Sequence, residues 1–230
     1  MPPVGNDIVD LGEPGNRGKS GDGRFLGRVF TPEERELIAG ADDPDALLWS
    51  LWAAKEAAYK AVSRANPEVC SIPRRYRVIM GTAPPFCPPG KKGGAVPFFS
   101  GRVFTPRGEL ALRIAVAKDY VHALAAGSES ELERTVRRVD RLGVVKETGG
   151  YSRAAREGDC ENAPDPSAFV RGLVLREIAR RSGCPLEELT IRNDPAGPAV
   201  PRVFLRGLPF AADISLSHDG RFFAFALLAH

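Results

Sequence analysis

Cysteine is scarce in this sequence, and the four residues present, Cys70, Cys87, Cys160 and Cys184, form no CxxC pair and have no neighbouring histidine. That spacing argues against a zinc site and leaves free thiols in a reducing compartment as the expectation. Long apolar runs are also missing. No stretch of about 18 apolar residues occurs, so no transmembrane helix is expected. An excess of one charge is absent too: 32 Lys and Arg stand against 29 Asp and Glu, for a formal net charge of +3. Nothing in that balance calls for nucleic acid or a membrane surface as partner. The first residues, MPPVGNDIVDLG, lack a basic segment followed by an apolar run, so a cytoplasmic protein is expected. What the chain does have is 230 residues with 43% hydrophobic content, enough to bury a core as one large domain or two small ones.

The strongest local signal is WAAKEAAYK at 52–60. Asp45 is a candidate N-cap ahead of it, Leu47, Leu48 and Leu51 recur at helical spacing, and no Gly or Pro interrupts the run to Val62. At about 100° per residue, Trp52, Glu56 and Lys60 follow one another along one edge of that helix. By itself a Glu–Lys pair is an ordinary surface contact worth a few tenths of a kcal/mol. Two further stretches give it more meaning, GNDIVDLG at 5–12 and ISLSHDGRFFAFALL at 214–228.

The first of these reads as a short strand carrying two acids, Asp7 and Asp10, in a β-branched run. A carboxylate in or beside a core must be paired, hydrogen-bonded or metal-bound, although an Asp capping a turn is the plainer alternative. The Gly-rich, charged EPGNRGKSGDG is expected to be a mobile loop. RFLGRVFTPEERELIAG gives a turn and then a helix, with Thr31 as N-cap, Pro32 at N1 and Glu34 completing a capping box. Strands are expected in IPRRYRVIM and in GRVFTPRGELALRIAVAKDYVHALAAG, with a turn at Pro106, Arg107 and Gly108. Residues 128–165 read as a linker, beginning with the charged helix SESELERTVRRVDRL. An amphipathic helix follows, with Phe169, Leu173, Val174 and Ile178 on one stripe and Gly183 at its C-cap. Strands then close the chain, and the last of them, FFAFALLA, has the grammar of the earlier YVHALAA. The expected organisation is therefore α+β, with lobes at 1–127 and 166–230.

Asp7, Glu56 and Asp10 offer hard oxygen ligands of the kind Mg²⁺ takes together with substrate phosphates. Ser215, Ser217 and His218 lie at a strand end before an Asp-Gly turn and Arg221, a plausible phosphate or nucleotide cradle, while a histidine at the edge of the core is the alternative. Adjacent Ser and His give poor geometry for a nucleophile and its base, which argues against a serine hydrolase.

In their order and spacing, GNDIVDL at 5–11, RFLGRVFTPEE at 24–34, WAAKEAAYK at 52–60 and SLSHDGRFFAFA at 215–226 resemble the 4′-phosphopantetheinyl transferase superfamily. The resemblance implies transfer of the phosphopantetheine arm of coenzyme A to a serine of an apo carrier protein, with Mg²⁺, releasing adenosine 3′,5′-bisphosphate. It also implies a fold of two similar α+β lobes, a pseudo-dimer. In the two-lobed members the SHSG-like strand precedes the GxDIE and WxxKE motifs; here it follows them. The chain thus resembles a circularly permuted two-lobed enzyme, in which His230 and Pro2 are expected to lie close. A small synthase carrying an insertion of about 100 residues is the alternative architecture.

Carried over residue by residue, the resemblance makes Asp7 and Glu56 the Mg²⁺ ligands, with Asp10 a third candidate. Lys60 matches the general base toward the carrier serine, and Lys55 a contact to phosphate or the carboxylates. Ser217 and His218 match coenzyme A contacts, Arg171 and Arg176 are candidates for its 3′-phosphate, and Arg221 for its phosphates. The family's Gly-Lys-Pro appears as Gly197, Pro198 and Ala199, leaving Arg192 or Arg202 to supply the missing cation. A basic rim, with IPRRYR and the loop at Lys91 and Lys92 as candidates, would suit an acidic carrier protein. The two-lobe reading makes a monomer the default. A non-catalytic module that holds coenzyme A or a carrier is the alternative function.

Overall fold

The computed structural model describes residues 4–81, 98–141, 165–193 and 200–229. The elements run β1 (Gly5–Asp10), α1 (Gly23–Val29), α2 (Pro32–Ala39), α3 (Pro44–Ala65), β2 (Arg77–Met80), β3 (Phe98–Thr105), β4 (Gly108–Val116) and β5 (Tyr120–Ala126). They continue with α4 (Glu129–Arg134), β6 (Val136–Arg141), α5 (Pro166–Ser182), β7 (Leu189–Asn193), β8 (Pro201–Leu205), β9 (Leu208–Pro209), β10 (Ala212–Asp219) and β11 (Phe222–Ala229). Helices and several sheets mix along the chain, as the α+β expectation has it, and no described helix is long and apolar enough to cross a membrane.

A five-stranded antiparallel sheet in the order β1-β5-β4-β3-β2 carries α3 across one face. The alanines explain how closely they pack. Ala53, Ala54, Ala57, Ala58 and Ala61 are completely buried, and such small side chains let the helix axis settle near the strands. Gly5 makes the closest approach, since a Cβ there would lie 1.9 Å from the Ala57 carbonyl oxygen.

The second half of the chain builds a sheet in the order β10-β11-β6, with β7-β8-β9 beside it. Helix α5 buries Val170, Val174 and Ile178 against Phe223, Phe225 and Leu227. Along β1 the side chains alternate between these two bodies. Gly5 and Val9 face α3, whereas Ile8 packs on Phe222 and Ala224 of β11. Val4 shares a cluster with Ala226 and Leu228.

Three local expectations need correction. The N-cap of α3 is Asp43, whose carboxylate accepts from the Ala46 amide at 3.0 Å. Asp45 instead accepts from the Gly18 and Ser20 amides at 2.5 and 2.8 Å, which ties the 13–22 loop to the helix. That loop, expected to be mobile, forms two 3-10 turns and is also held by Asn16. The expected charged helix at 128–142 ends at Arg134. Residues 136–141 then form β6, which pairs with β11 and sets Val136 against the α5 core and Val139 against the Ile8 cluster on its other face, so the start of the expected linker is part of the second sheet. The charged residues suit an edge strand that must not recruit another. The remaining linker, Lys91 and Lys92, the Gly197–Ala199 stretch, and Pro2 and His230 lie outside the described residues, as do Cys87 and Cys160. Cys70 and Cys184 are free thiols.

Candidate active site

Helix α3 presents two lysines to two acids in very different settings. Lys55, 1% exposed, lies 2.8 Å from the Glu34 carboxylate and donates to the carbonyls of Tyr76 at 2.5 Å and Pro73 at 3.3 Å. Glu34 is the capping-box residue of α2; it also accepts from the Thr31 amide and from the Val78 amide. One buried ion pair therefore joins α2, α3 and the start of β2. Lys55 is spent on the fold, so the expected contact to a substrate phosphate is not made by this ammonium as it stands.

Lys60 is the open counterpart. Its Nζ donates to Asp7 Oδ1 at 2.6 Å, and both side chains keep some contact with solvent. Glu56 stands one turn earlier on the same helical edge. Burial raises its carboxyl above the usual range and the nearby Asp7 charge raises it further, while Lys60 and a hydrogen bond from Ser71 work the other way. Burial likewise raises Asp7, with Lys60 opposing and Asp219 adding to the rise. Two desolvated, mutually repelling carboxylates beside one ammonium form a site that a divalent cation would relieve.

Asp10 does not join them. It lies on the opposite face of β1, and its carboxylate accepts from Arg221 Nε at 2.8 Å, Arg221 Nη2 at 2.6 Å, the Arg221 amide at 3.0 Å and the Gly12 amide at 2.8 Å. Those bonds, led by the guanidinium, hold its carboxyl down at about 2. The oxygens are already occupied, so Asp10 is separated from the pair expected to bind metal. Arg221, expected to reach coenzyme A phosphates, is likewise engaged. Gly220, at φ +48°, allows this turn, since a Cβ would sit 2.6 Å from Asp10 Oδ2. Among the described residues no three acids, histidines or cysteines converge as a metal cluster, so the candidate donors are the two carboxylates.

The SLSHD stretch has a role that its sequence half disclosed. Ser215, Ser217 and Asp219 share one face of β10 and meet the free edge of β1. The Asn6 amide donates to Ser215 Oγ at 2.9 Å, and the Asp10 amide donates to Asp219 Oδ2 at 2.8 Å. The Asn6 side-chain amide donates to Ser217 Oγ at 3.0 Å and meets His122 Nε2 at 3.3 Å. Side chains of one strand thus satisfy backbone donors that would otherwise be orphaned at the edge of the other. His122 is fully buried, and burial, with the nearby charges of Arg137 and Lys60, lowers it to about 3, so it is neutral and can accept. Ser217 is accordingly buried rather than presented to a ligand.

His218 points the other way, exposed near Phe223, whose ring packs 4.9 Å from Phe169 of α5. Arg171, which donates to Asn193 Oδ1 at 3.3 Å, and the exposed Arg176 lie on that helix. Of the residues expected to bind coenzyme A, His218, Arg171 and Arg176 therefore group with the second sheet, while Lys55, Ser217 and Arg221 are engaged within the protein. Sequence reasoning picks out neither Asn6, His122 nor Asn16; it gives Asp219 only as part of the Asp-Gly turn and Glu34 only as the capping-box residue of α2, not as the partner of Lys55. The alternation Ser215-x-Ser217-x-Asp219 was the available signal for one of them.

No curated protein matches the sequence. The segment that holds Asp7, Glu56 and Lys60 together has a clear relationship: residues 3–75, less than half of the chain, match the family model of the 4′-phosphopantetheinyl transferase superfamily.

Proposed function

We propose that this protein transfers the 4′-phosphopantetheine group of coenzyme A to a serine of an apo carrier protein, in a Mg²⁺-dependent reaction that releases adenosine 3′,5′-bisphosphate. The observation that carries this reading is the meeting of Asp7, Glu56 and Lys60 across β1 and α3, inside the segment that the superfamily model matches.

The donor set fits Mg²⁺: Asp7 and Glu56 are hard oxygen ligands, and burial together with mutual repulsion leaves them short of positive charge. Bound there, the ion would supply charge neutralisation for the pyrophosphate and its leaving group. The carrier serine oxygen attacks the β-phosphorus, and the bond from that phosphorus to the bridging oxygen breaks with its electron pair on adenosine 3′,5′-bisphosphate. A base at Lys60 requires the neutral amine, so the proton that Nζ shares with Asp7 at 2.6 Å passes to solvent before Nζ receives the serine proton, directly or through a water, and Asp7 then holds the ammonium that forms. His218, Arg171 and Arg176 remain available on the second sheet for coenzyme A.

The order of elements supports a pseudo-dimer. The succession β1, α3, β2, β3, β4, β5 has a counterpart in β6, α5, β7, β8, β10, β11, and β6-β11-β10 with β8-β7 alongside parallels β1-β5-β4-β3-β2. On α5, Arg176, Glu177 and Arg181 repeat the spacing of Lys55, Glu56 and Lys60. Glu177, however, is tied to Arg180 and Arg181 at 2.6 and 2.5 Å, which keeps it ionised and occupied. That difference favours one active site in a monomer of two lobes, with the lobe that bears the catalytic motifs placed first.

Three of the expected coenzyme A contacts are engaged internally, and that keeps a second reading in view: a non-catalytic module that holds coenzyme A or a carrier. Intact-mass measurement of apo acyl and peptidyl carrier proteins, incubated with the protein, coenzyme A and Mg²⁺, decides between them. A gain of roughly 340 Da, the transferred group, supports the transferase. Coenzyme A binding without any gain supports the module.

A further inference from the structure

Residues 72–76 are held more firmly than an exposed charged turn needs to be. Pro73–Arg75 form a 3-10 turn, closed by the Arg75 amide donating to the Ile72 carbonyl at 2.9 Å and the Tyr76 amide donating to the Pro73 carbonyl at 3.0 Å. The buried Lys55 ammonium grips both flanks of the turn through the Pro73 and Tyr76 carbonyls, and the Tyr76 ring stands edge-on to Tyr59 with centroids 6.2 Å apart. What this anchorage presents outward is Ile72, 42% exposed, with Arg74 and Arg75, whose exposed side chains enter no ion pair or hydrogen bond among the described residues. Exposed arginines such as Arg102, Arg138 and Arg206, by contrast, each have an acidic partner at hand. Lys55 and Tyr59 immediately precede Glu56 and Lys60, so the turn lies about 100° round α3 from the candidate site and borders it without entering it.

We infer that this turn is a docking face for an acidic carrier protein, with Ile72 as its apolar anchor and Arg74 and Arg75 as the charges that meet carboxylates. The inference rests on the transferase reading for the identity of the partner. A protein that delivers a serine to Lys60 approaches along this edge, and a standard interface of about 800 Å² per partner reaches well past one helix of about 10–12 Å diameter. An exposed apolar side chain beside free guanidiniums has the composition of an interface with an apolar centre and a charged rim. Fixing the turn in advance through Lys55 and Glu34 removes the entropy that a loose loop would lose on binding, which explains why a buried ion pair is spent on an exposed turn. Acids on the partner supply the complement, so the face selects carriers by charge.

The test is the charge reversal Arg74→Glu with Arg75→Glu, assayed with an acidic apo acyl carrier protein; Arg74→Gln with Arg75→Gln guards against a reversal that disturbs the turn. The expected result is a KM for the carrier raised about tenfold or more by the reversal and less by the neutral pair, with kcat, KM for coenzyme A and melting temperature unchanged. A carrier whose helix acids are replaced by amides should be nearly insensitive to both. An unchanged carrier KM would overturn the inference, as would a rise in KM for coenzyme A in its place, which would assign the arginines to phosphates. If the unaltered protein transfers nothing, the transferase reading fails, and fluorescence anisotropy of a labelled apo acyl carrier protein still decides the face: binding weakened by the reversal upholds it, and equal or absent binding overturns it.

Discussion

Lys60 Nζ lies 2.6 Å from Asp7 Oδ1 with 31% and 13% of the two side chains exposed, while five residues earlier on α3 Lys55 and Glu34 form an ion pair at 1% and 2%. The same helix thus carries one pair closed to solvent and one open to it. The closed pair holds elements together. Only the open pair can exchange a proton or a ligand with its surroundings.

Glu56→Gln removes a buried charge that Asp7 opposes, so the protein without divalent cation should be as stable as before or more so. Transfer to a carrier should fall by about 100-fold or more. Lys60→Ala should cost about as much in turnover, and melting temperature should fall with it, because the desolvated Asp7 carboxylate loses the cation paired with it. Calorimetry and carrier mass measured on the same preparations check both; full transfer by Glu56→Gln would sink the site assignment.

Lys55→Met acts on the fold. It leaves Glu34 as an uncompensated buried carboxylate facing two carbonyls that have lost their donor. A loss of about 3–5 kcal/mol is expected, or about 10 °C in melting temperature. Urea titration should show the shift in midpoint, and Glu34→Gln with Lys55→Met should recover part of it.

The Asp10 and Arg221 contact predicts an acid limb in the stability curve. Asp10 is held at about 2 in the folded protein against 3.8 for the ordinary group, so its contribution is complete above about pH 4 and is lost as pH falls through 2. About 1–2 kcal/mol is at stake, reduced because Arg221 is 39% exposed. Denaturation of Asp10→Asn between pH 2 and 5 should be flatter than that of the unaltered protein, and transfer should persist, since Asp10 lies on the far face of β1.

Gly5→Ala would place a methyl 1.9 Å from the Ala57 carbonyl oxygen and force β1 away from α3. Overpacking of this kind costs about 1–3 kcal/mol or more. Because Asp7 is two residues along the same strand, activity should fall together with melting temperature, unlike Glu56→Gln. Normal stability and activity would show that the strand and helix can separate freely.

Much of this architecture was legible in the residues. The Ala-rich run of α3, the Thr31 capping box, the β1 strand and the Gly183 terminus of α5 are each specified by local propensity and capping chemistry, which depend on neighbours in sequence. Glu56 and Lys60 fall on one edge because helical geometry puts them there. Where a position had several local solutions, distant contacts made the choice. Asp43 and Asp45 could each cap α3, and the Gly18 and Ser20 amides took Asp45. Residues 136–141 could continue a helix, and the exposed edge of β11 drew them into a strand.

The sequence alone determined that two acids and a lysine of this spacing would occupy a strand and a helix able to meet. Tertiary structure decided which groups remained free to act. Asp10 is withdrawn by Arg221 from the far end of the chain, Lys55 by Glu34, and Ser217 by Asn6. The reason is physical: a buried polar group is satisfied by whichever partner packing brings within about 3 Å, and that partner can come from anywhere in the chain.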